Sequence, residues 1–126
     1  MIFCREAVKI MLKKKSGRII NIGTMATKHE VPGEALYTSS KAALIAYSRV
    51  LAKETAKAGI TVNIVAPSVI ETDLSEKIDK EALSEVLKRN AIHGYGIMSD
   101  VSNAIDILLK SESNAITGQL IYLGGV

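Results

Sequence analysis

The chain has 126 residues, 48% apolar and 23% charged, with a net charge of +3. That bounds it to one compact domain with enough apolar content for a real core. One Phe and no Trp argue against a base-stacking nucleic-acid surface, and no apolar run reaches the ~18 residues of a membrane span.

In chain order, Ile2, Phe3, Ala7, Val8, Ile10, Met11 and Leu12 recur at helical spacing, and the chain opens inside this pattern. Lys13, Lys14 and Lys15 sit just before Ser16-Gly17, which reads as a helix C-terminus with cations on the dipole and a glycine cap. Ile19, Ile20 and Ile22 form a short β-branched run, expected to be a strand buried on both faces. Residues 23–33 read as a loop, with Pro32-Gly33 as its turn. An alanine-rich helix is expected over 35–58, ending before Gly59. Residues 61–66 read as a second strand, stopped by Pro67. Helical segments are expected near 72–78 and 79–90, and Ser99 reads as the N-cap of a helix carrying Val101, Ala104, Ile105, Leu108 and Leu109. Residues 119–123 are a final strand before Gly124-Gly125. Strands alternating with helices imply parallel crossovers and an α/β sheet of about three strands. No internal repeat, linker or low-complexity segment interrupts this order.

Some residue types carry little chemistry. Cys4 is the single cysteine, so no internal disulfide or cysteine-based metal site is expected. His29 and His93 lack Cys or acidic partners at ligand spacing and read as ordinary polar residues, so no metal is expected. Gly94-Tyr95-Gly96-Ile97-Met98-Ser99 approaches a dinucleotide-binding glycine pattern, but the third glycine is missing and no strand leads into it. It reads as a loop. The N-terminus lacks the basic-then-apolar layout of a signal peptide, which makes a cytoplasmic setting the expectation.

The chemistry-bearing segment is Tyr37-Thr38-Ser39-Ser40-Lys41. Residues four apart on a helix share a face, with Cβ atoms roughly 5–6 Å apart. A free phenol has a pKa near ~10 and is a poor acid at neutral pH. A neighbouring ammonium favours the phenolate and draws that value toward the working range. The pair is thereby equipped to exchange a proton with a carbonyl or an alcohol. Thr24 precedes Tyr37 by thirteen residues, and Ala66-Pro67-Ser68-Val69-Ile70-Glu71-Thr72-Asp73 follows.

Taken together these segments resemble the short-chain dehydrogenase/reductase family, most closely its 3-oxoacyl-(acyl-carrier-protein) reductases. Residues 17–24 look like the strand leading to the family's catalytic serine, and Tyr37 to Lys41 matches its Y-x-x-x-K. Residues 59–67 match the stretch before its proline-glycine turn; Ile116-Thr117-Gly118-Gln119 and Gly124-Gly125 look like its C-terminal strand. The resemblance implies the C-terminal half of a Rossmann-like, doubly wound parallel sheet. Residues 1–126 would be a single partial domain whose dinucleotide-binding half lies upstream of Met1. It further implies an NAD- or NADP-dependent oxidoreductase acting on a 3-oxoacyl thioester or another small ketone. Tyr37 would be the general acid. Lys41 would assist it and bond the nicotinamide ribose, and the hydroxyl of Thr24 would hold the substrate carbonyl. The backbone of Ile70 would meet the carboxamide, with Pro67, Ser68 and Thr72 shaping that loop.

Two residues depart from the family pattern. Thr24 stands where serine is usual; its hydroxyl keeps both donor and acceptor, while the methyl restricts χ1. Ser68 replaces the usual glycine, costing on the order of 1–2 kcal/mol if the position needs φ > 0 and little otherwise. The phosphate loop, the residue choosing NAD or NADP and the relay asparagine have no counterpart in this sequence. The strand at 19–22 is therefore expected to expose an edge, and the chain to be inactive alone. By resemblance the partners are copies of the chain in a homo-oligomer, or a full-length relative. An alternative reading is a non-catalytic half-domain that docks on such a relative through its long helices, with Ala42, Ala43, Ala46 and Val50 allowing close approach.

Overall fold

The computed structural model describes residues 1–71 and 80–125. Among them β1 (Gly17–Ile22), β2 (Ile60–Ala66) and β3 (Leu120–Tyr122) form a three-stranded parallel sheet in the order β1-β2-β3. Around it lie α1 (Ile2–Lys14), α2 (Ala26–His29), α3 (Ala35–Thr55), α4 (Lys80–Lys88) and α5 (Met98–Leu109). This is the expected α/β layout. The helix expected near 72–78 lies outside the described residues.

The register runs from Gly17 opposite Ile60 to Ile22 opposite Val65, and from Ile64 opposite Leu120 to Ala66 opposite Tyr122. β2 is therefore the central strand, and all seven of its residues are buried. Its side chains alternate between two cores, as a pleated strand requires. Ile60 and Val62 meet Cys4, Ile19, Leu51 and Ala52 beneath α1 and α3. Val65 meets Val101 and Leu108 of α5, with Ile20, Ile116 and Ile121 around them. Each such aliphatic side chain contributes roughly 1.5–3 kcal/mol on burial.

Two buried polar residues, Thr61 and Asn63, break the apolar run of β2, and Asn63 ties it to the turn before β3. The Asn63 amide donates from Nδ2 to the Ile116 carbonyl (2.8 Å), and its Oδ1 accepts the Gln119 amide N–H (3.1 Å). The Thr117 hydroxyl accepts the Val62 N–H (3.1 Å), while the Gly118 N–H donates to the Val62 carbonyl (2.7 Å). Asn63 thus satisfies two main-chain groups of the turn before β3.

Four local expectations are corrected. The segment 23–33, expected to be loop, holds the short helix α2. The left-handed cap of α1 is Lys15 (φ 49°), not a glycine. Gly17 already begins β1, and its role is close approach: a Cβ there would fall 2.3 Å from Met11 Sδ. Gly59 (φ +69°) does cap the end of α3 and its short 3-10 extension, and a Cβ there would meet the Lys15 carbonyl oxygen at 2.7 Å. Ser99 lies inside α5, whose N-cap is Ile97; the Asp100 carboxylate accepts the Ile97 N–H instead (3.3 Å). β1 is covered on both faces only in part: Ile19 is buried, but Ile22 is 41% exposed at the open edge of the sheet.

Two tests follow from this packing. Asn63→Leu keeps the volume but strands one carbonyl and one N–H, so it should lower unfolding stability by about 2–3 kcal/mol in urea titrations. Tyr47 lies against the α1/α3 core, and burial, followed by the charges of Cys4 and Glu54, raises its pKa above the ordinary tyrosine value. Its stabilising effect is intact below about pH 10 and is lost as the pH rises through the higher folded value. The stability of Tyr47→Phe should therefore fall less steeply in alkali than that of the parent chain.

Candidate active site

β1 and β2 run parallel, so their carboxyl ends open on the same edge of the sheet, the edge where open α/β sheets bind ligands. Two loops leave that edge, one from β1 through Thr24 and one from β2 through Pro67. They are stitched together by main chain. The Gly23 N–H donates to the Val65 carbonyl (2.7 Å), and the Met25 N–H donates to the Pro67 carbonyl (2.9 Å). Met25 itself is buried and anchors the first loop. Gly23 is required by crowding, because a Cβ there would lie 2.9 Å from Ile64 Cγ2.

Tyr37 stands in the first turn of α3, three residues after its N-cap Glu34, and is 46% exposed. The amide dipoles of a helix N-terminus favour negative charge there. One turn on, Lys41 Nζ lies 5.9 Å from the centre of the Tyr37 ring. The same ammonium donates to the Ile22 carbonyl (2.9 Å), at the last residue of β1. The sequence predicts the tyrosine–lysine pairing; it gives no sign of the Ile22 carbonyl, which orients Lys41 and joins α3 to the sheet edge. One bond of three leaves the ammonium with N–H groups to give elsewhere.

The Thr24 hydroxyl oxygen accepts the Ala26 N–H (3.2 Å) at the start of α2. Its own hydrogen can still be donated. Thr27 donates to the Thr24 carbonyl (2.8 Å) and pairs with the Tyr122 hydroxyl of β3 (3.4 Å). Pro67, Ser68 and Ile70 are half-buried. Ser68 is not at positive φ, so serine is unstrained where the family's glycine would stand. Ile70 bridges to Gly96, whose N–H donates to the Val69 carbonyl (2.9 Å). The glycine-containing segment 94–99 is thus a loop ending in the first turn of α5, and it braces the Pro67 loop. Thr72 lies outside the described residues.

Sequence reasoning passed over Asn90. It is 2% exposed, donates from Nδ2 to the Ser68 hydroxyl (2.7 Å) and joins His29 Nε2 through Oδ1 (3.1 Å). A lone asparagine after a helix carries no sequence signal; its partners lie 22 and 61 residues away. Ser68 and Asn90 also line a cleft of about 550 Å³ with Tyr95, Asn103 and Ile121. Neither this cleft nor the one of about 390 Å³ beside α4 includes Thr24, Tyr37 or Lys41, which stand on an open edge.

A parallel α/β sheet, a tyrosine–lysine pair at a helix start and two stitched loops at the strand ends define a class of protein. The chain belongs to the short-chain dehydrogenase/reductase family: a family model described as enoyl-(acyl carrier protein) reductase matches residues 1–125. Among curated relatives, the 3-oxoacyl-[acyl-carrier-protein] reductase FabG of Rickettsia felis is 39% identical over 121 residues, which are 96% of this chain and 50% of the relative. The 3-oxoacyl-[acyl-carrier-protein] reductase of Bos taurus is 39% identical over 126 residues, 99% of this chain and 51% of the relative. FabG of Escherichia coli K12 is 36% identical over 121 residues, again 96% and 50%. The chain spans about half the length of these relatives.

Ser68→Gly tests the conformational reading of the loop. It removes the Asn90 bond and frees the backbone, so it should destabilise the chain by about 1 kcal/mol in thermal or urea unfolding. A gain in stability would mean the loop is under the strain that serine at positive φ implies.

Proposed function

We propose that this chain carries the catalytic half of an NAD(P)-dependent oxidoreductase that interconverts a carbonyl and an alcohol, with a 3-oxoacyl thioester as the preferred substrate class. The observation that carries the reading is Lys41 held between the Ile22 carbonyl and the Tyr37 ring, at the carboxyl edge of a parallel sheet. The names of the relatives at 36–40% identity support the substrate class.

The residues present suit a nicotinamide cofactor. The Lys41 ammonium has N–H groups for a ribose hydroxyl, and the half-buried loop of Pro67, Ser68 and Ile70 would face the carboxamide, with Thr72 continuing it. When bound, the cofactor supplies or accepts the hydride. The protein's part is proton transfer and position. The Thr24 hydroxyl donates to the carbonyl oxygen and fixes its direction. Tyr37 gives its phenolic proton to that oxygen as the carbon is reduced, and the ammonium and the helix dipole stabilise the phenolate that remains. In the alcohol-to-carbonyl direction the same groups run in reverse. The pyrophosphate and adenosine need a second, dinucleotide-binding half of the domain, which we place outside residues 1–126.

A second reading has one observation in its favour. Ala42, Ala43, Ala46 and Val50 share an exposed face of α3, and Phe3 and Leu36 are 89% and 90% exposed. On this reading the chain docks on a full-length reductase or a second copy of itself through α1 and α3, without chemistry of its own.

The test is NAD(P)H oxidation with a 3-oxoacyl thioester, measured for the protein at its native length and for Tyr37→Phe. Loss of the acid should lower kcat by about 10²–10⁴-fold with cofactor affinity kept. Co-purification with a full-length reductase, unaffected by Tyr37→Phe and without turnover, would favour docking.

A further inference from the structure

We infer that Asn90 is a positioning residue, which clamps the Pro67 loop to the loop that follows Thr24 through Ser68 and His29. Its catalytic meaning rests on the redox site proposed above; the clamp itself stands on the contacts described here.

Asn90 follows α4 and is enclosed. Its amide bonds on both sides: Nδ2 donates to the Ser68 hydroxyl at 2.7 Å, and Oδ1 faces His29 Nε2 at 3.1 Å. In this orientation the amide oxygen accepts, and the Nε2 of His29 carries the hydrogen. The preceding residue grips the same histidine from the other side, with Arg89 Nη1 donating to the His29 carbonyl (3.1 Å). Two consecutive residues after α4 thus hold both the ring and the main chain of the last residue of α2.

The clamp is sealed by the C-terminal glycines. A Cβ on Gly124 (φ +103°) would come within 3.4 Å of both Asn90 Nδ2 and Ser68 Cβ, and one on Gly125 would meet Ala91 Cβ at 2.8 Å. The Ile92 N–H donates to the Gly124 carbonyl (2.8 Å). At φ +103° this position favours glycine, and its backbone packs against the Asn90 amide and Ser68. A glycine at position 68 would offer no hydroxyl, so the departure from the family pattern and the buried asparagine are explained together.

The mechanical result is a closed circuit. The Thr24 loop meets the Pro67 loop directly through Met25 and Pro67, and a second time through His29, Asn90 and Ser68. Two ties at different distances from the strand ends fix the angle between the loops as well as their separation. In the proposed site, that angle relates the Thr24 hydroxyl to the Ile70 backbone.

The experiment is residue-resolved hydrogen exchange on the chain and on Ser68→Ala, His29→Asn and His29→Gln, with unfolding stability measured alongside. Glutamine can place an N–H where Nε2 stands; asparagine is too short to reach. Exchange at the Met25 and Gly96 amides, which bond the Pro67 and Val69 carbonyls, should quicken about tenfold in Ser68→Ala and His29→Asn, beyond any global loss of stability, and return toward the parent rate in His29→Gln. Exchange unchanged at those two amides, or quickened equally across β2, or not restored by His29→Gln, would overturn the clamp. Cofactor affinity at native length is read separately. A weaker Kd for NADPH in His29→Asn with rescue in His29→Gln supports positioning, and an unchanged Kd in both overturns it. If the parent protein binds no NAD(P)H, the redox reading fails and the exchange data alone decide the clamp.

Discussion

Strand β2 is buried along its whole length between two cores, and every functional position here is placed relative to it. Ile60 and Val62 fasten α1 and α3 to one face, while Val65 fastens α5 to the other. The strand runs out at Ala66, so Pro67 leaves the sheet where β1 also ends. The carboxyl edge is therefore built by the hydrophobic alternation of a single strand. Asn63 makes that strand specific as well as stable. Its amide satisfies the turn before β3 from inside the core, so a shifted register would leave it without partners.

The site combines a rigid part with an open one. Lys41 is held by the Ile22 carbonyl, and Tyr37 begins α3, so neither depends on a mobile loop for its position. The Tyr37 face itself is open, and the β1 edge beside it carries the exposed Ile22. On the proposed reading, this open edge would give a nicotinamide its proton donor but leave the rest of a dinucleotide without a cradle. This agrees with a chain that spans about half the length of its curated relatives.

Features with a local physical cause were legible in the sequence. The 3.6-residue rhythm of α1, the alanine-rich run of α3 and the apolar block of β2 each announce their element, and Tyr37 and Lys41 meet because four residues make a helical turn. Features decided by packing, or by a choice between competing caps, were not. Lys15 takes the left-handed cap while Gly17 packs against Met11. The first turn of α5 starts before Ser99, with Asp100 reaching back to Ile97. Asn90 looks like any polar residue after a helix until the fold brings His29 and Ser68 to it. Thr24 and Pro67, which the resemblance singled out, leave the sheet on loops that meet at one edge, a tertiary relation that periodicity does not encode.

The central claim is that Thr24, Tyr37, Lys41 and the Pro67 loop form one nicotinamide site. The most direct measurement is amide chemical-shift mapping of the chain with reduced nicotinamide mononucleotide, which lacks the adenosine half and so does not call on a phosphate-binding domain. The account predicts shifts concentrated at Ile22 to Thr24, at Tyr37 to Lys41 and at Ser68 to Ile70. Shifts that gather instead in the cleft between α5 and β3, or none at a ligand concentration where the mononucleotide saturates a native-length relative, would contradict it.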